Sequence, residues 1–319
     1  MKENRYLIFD RDVSILKMIA RRIVYYPYNI INVIANSLIH PKITRKKYYC
    51  SICAIFRDEA NYLKEWIEYH LIIGVDHFYL YNNFSEDEYM DVLKPYIDSG
   101  IVTLCDWTIE HGQMLAYQDC YDKYRNETNW IAYIDLDEYI VPNIHNNIND
   151  FLADYSKYPG IVIYWKYFGS SGLIERNPER LISEDFTVCW RKYADIGKMV
   201  FNTEYLYQHD YKFNSYMHLM WGEYKGLHFA PVNPYKKRVM FNVNRVRTQE
   251  HLIQVNHYVI KSYKEYVDKK SKRGGGVHDI SMHSLDYFFN HESFCGDSDY
   301  HIYKYLIKLK LAMKNEIGE

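Results

Sequence analysis

Trp130-Ile131-Ala132-Tyr133-Ile134 runs without a break into Asp135-Leu136-Asp137-Glu138. A short run of bulky and β-branched residues reads as a buried strand. Here it ends on two carboxylates separated by one position. Upstream, short apolar runs alternate with helical periodicity. Tyr49 to Phe56 reads as a first strand, and Asn61 to Ile73 as a helix with Leu63, Trp66, Ile67 and Leu71 on one face and Gly74 as its stop. His77 to Tyr81 is the second strand. Ser85 and Glu88 have capping-box spacing and are expected to open a helix that buries Met90, Leu93 and Ile97 and ends by Gly100. Ile101 to Cys105 is the third strand, and a helix over Gln113 to Tyr124 leads into the fourth, Trp130 to Ile134. Strands alternating with helices predict an α/β fold with a mostly parallel sheet flanked by helices.

Ligands of such sheets bind outside the carboxyl ends of the strands. Residues just past those ends are therefore expected to share one crevice: Arg57, Asp58 and Glu59, then Asn82 and Asn83, then Asp106, then the acidic cluster. Two carboxylates one residue apart can offer oxygens to a hard divalent cation that also takes phosphate oxygens. Mn²⁺ or Mg²⁺ at Asp135 and Asp137 would offset charge growing on a departing nucleoside diphosphate. Arg57, Glu59, Asn82 and Asn83 are placed to meet the nucleotide, with Gln113 and Tyr117, one helical turn apart, on the helix before the acidic motif. Later, Ile161 to Phe168 and His251 to Ile260 read as strands. Ser262 with Glu265 repeats the capping-box spacing and starts a helix running to Gly274-Gly275-Gly276.

At this point the chain resembles the family 92 glycosyltransferases, of the GT-A type. The likeness runs from about Cys50 to Gly274. It rests on Arg57-Asp58-Glu59, Glu65 through His70, Gly74 through Phe78, Trp130 through Tyr139, Trp165 with Phe168 through Gly172, Lys198, Asn256-His257-Tyr258, Lys261-Ser262, Glu265, Lys269, Arg273 and Gly274. The family form has Asn-Glu where this chain has Asp58-Glu59, and Phe where it has Tyr139. The resemblance implies a GT-A-like Rossmann-type sheet and inverting transfer of a sugar, often galactose from UDP-galactose, to a glycan hydroxyl. It implies Asp137 as principal metal ligand, with Asp135 reaching the metal or the ribose. His257 completes the metal site in this reading, with His218 second. Lys261, Lys269 and Arg273 would face the diphosphate. Inversion requires a general base for the acceptor hydroxyl, and Glu223 and Asp195 are the two candidates. The helix bearing Glu65, Trp66, Glu68 and His70 is expected to secure packing. Two other functions compete: a glycan-binding protein without turnover, and another metal-dependent nucleotidyl- or phosphoryl-transfer enzyme.

Composition limits the partners. The 319 residues carry a net charge of -2, which gives no basis for nucleic-acid binding. Six cysteines include the pair Cys50 and Cys53, whose apolar surroundings read as a strand rather than a zinc or redox motif, and the compartment is expected to be reducing. The 35 tyrosines supply rings with an apolar face and a hydroxyl, suited to sugars but equally to a Tyr-rich core. The terminus shows no signal peptide, and Val13 to Ile39 is interrupted by Lys17, Arg21 and Arg22, so it reads as an amphipathic helix meeting Pro27. We therefore expect an N-terminal helical extension over 1–47, the glycosyltransferase domain over 48–275 and a basic helical tail over 276–319. The expected location is cytoplasmic, at the inner membrane surface, with a lipid-linked or other saccharide acceptor in surface polysaccharide synthesis.

Overall fold

The structure, a computed structural model, describes residues 15–208, 218–240, 252–270 and 284–314. Its elements in chain order are α1 (Ile15–Leu38), β1 (Tyr48–Phe56), α2 (Ala60–Ile72), β2 (His77–Asn82), α3 (Tyr89–Asp98), β3 (Val102–Asp106), α4 (Gln113–Tyr124), β4 (Thr128–Tyr133) and β5 (Glu138–Pro142). There follow α5 (Ile148–Ala153), β6 (Gly160–Tyr167), α6 (Ile182–Asp185), β7 (Val188–Trp190), β8 (Gly197–Asn202), β9 (Gly222–Tyr224), β10 (Leu227–Phe229) and β11 (Ile253–His257). The last are α7 (Tyr263–Glu265), continued by a π turn over Tyr266–Lys270, then α8 (Leu285–Ser293), β12 (Cys295–Ser298), a 3₁₀ turn over His301–Tyr305, and α9 (Leu306–Lys314).

Eight strands form one sheet in the order β3-β2-β1-β4-β8-β6-β11-β5. The pairs β3–β2, β2–β1, β1–β4 and β6–β11 are parallel, while β8 and β5 run against their neighbours. The expected mostly parallel α/β sheet is thus present. Its first half follows the βα alternation read from the sequence.

Strand alternation explains the cysteine pair. Side chains three apart on a strand point to opposite faces, so Cys50 joins the core on one side of the sheet and Cys53 the core on the other. The two thiols cannot chelate one ion, and all six cysteines are free.

Three local expectations are revised. Ser85 does not cap α3: its hydroxyl accepts from the Asp58 backbone N–H at 3.0 Å, joining the loops after β1 and β2. Chain ordering around the crevice took precedence over the local cap. β5 begins immediately after the acidic motif, and β8 has no counterpart in the sequence reading. Ser262 and Glu265 do form the expected capping box, although the end of that helix lies outside the described residues. The helix α2 secures packing: Glu65 accepts from the Ile182 and Ser183 backbone N–H groups at 2.8 and 3.2 Å, satisfying the start of α6. His70 bridges the Trp66 carbonyl and the Ile140 N–H inside the core.

Both ends of the chain are attached to this body. From α1, the buried Asn32 and Asn36 donate to the His228 carbonyl and the Tyr205 hydroxyl. At the other end β12 pairs antiparallel with β7, and Lys64 on α2 donates to the Met313 carbonyl of α9.

Candidate active site

The carboxyl ends of β1, β4, β6 and β11 and the amino end of the reversed β8 meet at one sheet edge. There they line a crevice of ≈ 1000 Å³. This is the upper end of the range for small-molecule sites.

The acidic motif forms the turn between β4 and β5. The Glu138 N–H donates to the Asp135 carbonyl at 3.0 Å, and the Glu138 carboxylate reaches back to accept from the Asp135 N–H at 2.9 Å. The turn is held by three side chains from two elements. Gln113 and Tyr117 of α4 both donate to Asp135 Oδ1, at 2.8 and 3.1 Å, and Lys198 of β8 donates to Oδ2 at 2.8 Å. Lys198 also stands 3.4 Å from Glu138. Gly197 lets β8 approach this closely, since a Cβ there would overlap the Ile163 carbonyl oxygen. Burial alone would push the Asp135 carboxyl up, but Lys198 holds it below the usual carboxylate range. Glu138, fully buried, is pushed up to about 7 by desolvation that Lys198 only partly offsets. Lys198 is the reverse case: burial disfavours its charge, and the facing carboxylates outweigh burial and raise its pKa.

His257, at the end of β11, places Nε2 3.5 Å from Asp137 Oδ1 and Nδ1 3.9 Å from Glu138 Oε1. Among the described residues neither Nδ1 nor that Oε1 has a hydrogen-bond partner. A metal-ligating imidazole turns its second N–H to a carboxylate, and these two buried atoms are the pair that would do so. Asp137 and His257 therefore fit a divalent cation, which needs only one or two protein groups when phosphate oxygens and waters complete its shell. Asp135 fits less well, because both of its oxygens already accept hydrogen bonds. Among the described residues no group of three or more His, Cys, Asp or Glu converges as a metal cluster. His218 donates Nδ1–H to the Gly197 carbonyl at 2.6 Å, and burial lowers it to about 4, so it lines the crevice as a neutral ring.

Across the crevice Glu59 lies between two lysines, 2.5 Å from Lys269 and 3.8 Å from Lys261. Lys269 also donates to the Asp58 carbonyl, and Lys261 sits 3.3 Å from the Tyr62 ring centroid. Lys261, four residues past the end of β11, has φ +50, an uncommon conformation for a residue with a side chain. Arg57 and Asn83 line the same crevice. Asn83 spends its amide on the Trp107 and Ile109 carbonyls, at 2.7 and 3.0 Å.

The other expected residues are placed differently. Asn82 is buried outside the crevice, donating to Tyr89 and Asp106. Gln113 and Tyr117 line it, but their polar atoms hold Asp135. Glu223 is in the β9–β10 hairpin and accepts from the Gly226 N–H at 2.9 Å, closing its own turn rather than facing the crevice. Asp195, 2 % exposed, lines a second cavity beside the crevice. Arg273 lies outside the described residues. The clearest omission from the sequence reading is a role for Lys198, whose signal is a cation at the start of an apolar run, Met199-Val200-Phe201.

Several curated proteins are similar over part of this chain. A glycosyltransferase family 92 protein of Oryza sativa subsp. japonica is 32% identical over 118 residues, 37% of this chain and 20% of that protein. A galactan beta-1,4-galactosyltransferase of Arabidopsis thaliana is 30% identical over 129 residues, 35% of this chain and 26% of its own length. The matched segments thus span about a fifth to a quarter of these relatives. Among solved structures, S. aureus TarS in complex with UDP shares 12% identity at TM-score 0.33, covering 49% of this chain and 47% of that one. The family model for glycosyltransferase family 92 matches residues 46–292, most of the sequence and all of the sheet that builds the crevice, and the chain belongs to that family.

Proposed function

We propose that this protein is a metal-dependent inverting glycosyltransferase that moves a sugar, galactose from UDP-galactose being favoured, onto a glycan hydroxyl. The observation that carries the reading is the delivery of Asp137 and His257 to one point of a crevice whose opposite wall carries Lys261 and Lys269. A nucleoside diphosphate needs both a cation and a basic wall.

In this reading Asp137 and His257 hold Mn²⁺ or Mg²⁺, with Glu138 orienting the imidazole. When bound, that ion neutralises charge on the departing diphosphate. Asp135, kept ionised by Lys198, accepts hydrogen bonds and turns to the ribose. Lys261 and Lys269 exchange Glu59 for phosphate oxygens, and Arg57 meets the base. Walls of Trp165, Tyr167 and Tyr117 exclude water from the reacting end. The acceptor hydroxyl loses its proton to a carboxylate on the acceptor side, and Asp195 is the nearer of the two candidates to that side.

Two measurements test this. UDP binding followed calorimetrically with and without Mn²⁺ should show metal dependence in the wild type and none in Asp137→Ala; unchanged metal dependence in the variant would remove the basis of the reading. Released nucleotide from UDP-, GDP- and CMP-sugars with Mn²⁺ should single out UDP.

We further infer contact with an anionic lipid surface, consistent with a role in surface polysaccharide synthesis on a lipid-linked acceptor. α1 docks by Asn32 and Asn36 yet leaves Leu16, Ile23, Val24, Ile31, Ile34 and Leu38 exposed, and it contains no acidic residue. So large an exposed apolar stripe marks an interaction surface. No helix among the described residues is long and apolar enough to cross a membrane. Flotation with phosphatidylglycerol vesicles should recover the protein, and the double change Ile23→Asp, Ile31→Asp should abolish recovery.

A further inference from the structure

We propose that the cavity beside the crevice is an acceptor subsite that seats one neutral pyranose ring on the contiguous rings of Trp190 and Phe294, with Asp195 accepting hydrogen bonds from its hydroxyls. The proposal rests on the glycosyltransferase reading above and adds to it where the acceptor lies.

The cavity measures ≈ 250 Å³. That is the volume of about eight waters, room for one six-membered ring with its hydroxyls but not for two. Tyr167 and Tyr287 line both this cavity and the crevice, so the two spaces share a wall. Along that wall the rings are continuous. Tyr167 lies 5.3 Å from His257 and 4.7 Å from Trp190, and Trp190 lies 4.9 Å from Phe294. A saccharide lying on this strip has one end at His257, 3.5 Å from Asp137, where the donor sugar is expected.

Chemistry selects the ligand class. A pyranose presents C–H faces that lie on aromatic rings and edge hydroxyls that donate to a carboxylate. Asp195, 2 % exposed, is the one anionic side chain among the described lining residues, and Asn290 adds an amide. Among the described residues neither Lys nor Arg lines the cavity, which disfavours a phosphate or a carboxylate ligand. Rings with a carboxylate also suit an organic cation. That alternative becomes an arm of the test.

Saturation-transfer NMR on the full chain uses methyl β-galactopyranoside, methyl β-glucopyranoside and tetramethylammonium at millimolar concentration. The same samples are titrated with UDP and Mn²⁺. The wild type should show transfer to at least one glycoside. Asp195→Asn and Phe294→Ser should each weaken that binding about tenfold to a hundredfold, the loss of a charge-assisted hydrogen bond or its packing wall. Phe294 is 42% exposed and outside the core, so its replacement separates ligand loss from misfolding. Glycoside binding equal to wild type in Phe294→Ser, or transfer to tetramethylammonium alone, overturns the subsite. A wild type that binds UDP with Mn²⁺ but neither glycoside overturns it also, leaving the donor reading intact. A wild type that does not bind UDP overturns both.

Discussion

Replacing Lys198 by Met should cost about 3–5 kcal/mol of folding stability. The magnitude follows from what the ammonium leaves behind. Lys198 is 5% exposed and lies 2.8 Å from Asp135 and 3.4 Å from Glu138, which is 0% exposed. Methionine fills the aliphatic stem but supplies no charge, so two carboxylates within one turn face each other in a dry site. Asp135 keeps Gln113 and Tyr117, while among the described residues Glu138 keeps the Asp135 N–H and its neighbour His257. An exposed pair gives the scale for comparison: Lys94 and Asp98, 69% and 61% exposed, make an i,i+4 bridge at 2.9 Å. Lys94→Met should cost only about 0.3–0.5 kcal/mol. Urea unfolding at constant ionic strength with EDTA present measures both without cations entering the acidic site. In Glu138→Gln the loss from Lys198→Met should shrink by about 1.5–3 kcal/mol, because one buried charge is already neutral. A Lys198→Met loss below about 1 kcal/mol, or strict additivity with Glu138→Gln, would refute the argument that Lys198 is the internal cation of the site.

Glu59→Gln should tighten pyrophosphate binding about two- to fivefold, since Lys261 and Lys269 no longer share their charge with an internal carboxylate; the pair is partly exposed, so a larger effect is not expected. Isothermal titration with inorganic pyrophosphate checks it, and weaker binding would contradict the assignment. His70→Gln should reduce acid sensitivity. Burial lowers His70 to about 3 from 6.5, so the folded state binds fewer protons than the unfolded state between those values. The wild type therefore loses stability as pH falls from 6.5 toward 3, by about 1.4 kcal/mol per unit from this residue. Urea midpoints of wild type and variant at pH 6.5 and 4.5 should diverge. Replacing both Gln113 by Leu and Tyr117 by Phe should preserve folding yet weaken UDP binding, because Asp135 then pivots toward Lys198; unchanged UDP affinity would separate these residues from the donor site.

The first half of the fold was legible because each element there carries its own periodicity. Leu63, Trp66 and Ile67 mark α2 without outside help, and the apolar runs of β1, β2 and β4 have recognisable ends. β8 was not legible, since Gly197-Lys198-Met199 joins a cation to an apolar run and only the close approach to Ile163 makes that a strand. The site shows the same division. Asp135, Asp137 and His257 are marked by type and position, whereas Glu223 and Asp195 were two carboxylates in a weakly periodic stretch. What separates them is tertiary: Glu223 closes a tight hairpin, and Asp195 precedes the reversed strand that returns to the crevice. Asn82 and Asn83 adjoin in sequence, yet Asn82 ends the buried strand β2 while Asn83, one residue past it, lines the crevice.

Each wall of the crevice holds its charges partly offset, Asp135 and Glu138 by the single Lys198 and the two lysines by the single Glu59. This arrangement stabilises the protein without ligand, but it also shapes how ligands enter under the proposed function. Lys198 weakens the pull of the acidic wall on a divalent ion arriving alone, and Glu59 weakens that of the basic wall on a diphosphate arriving alone. A metal–diphosphate complex brings both signs of charge together, so each partner adds an attraction that the offset walls only partly supply. The affinities of the two are then coupled, and linkage makes the coupling reciprocal: the factor by which Mn²⁺ tightens UDP is the factor by which UDP tightens Mn²⁺. In the proposed function Asp137 and His257 contact the ion, while Lys198 and Glu59 weaken the hold on either ligand arriving alone.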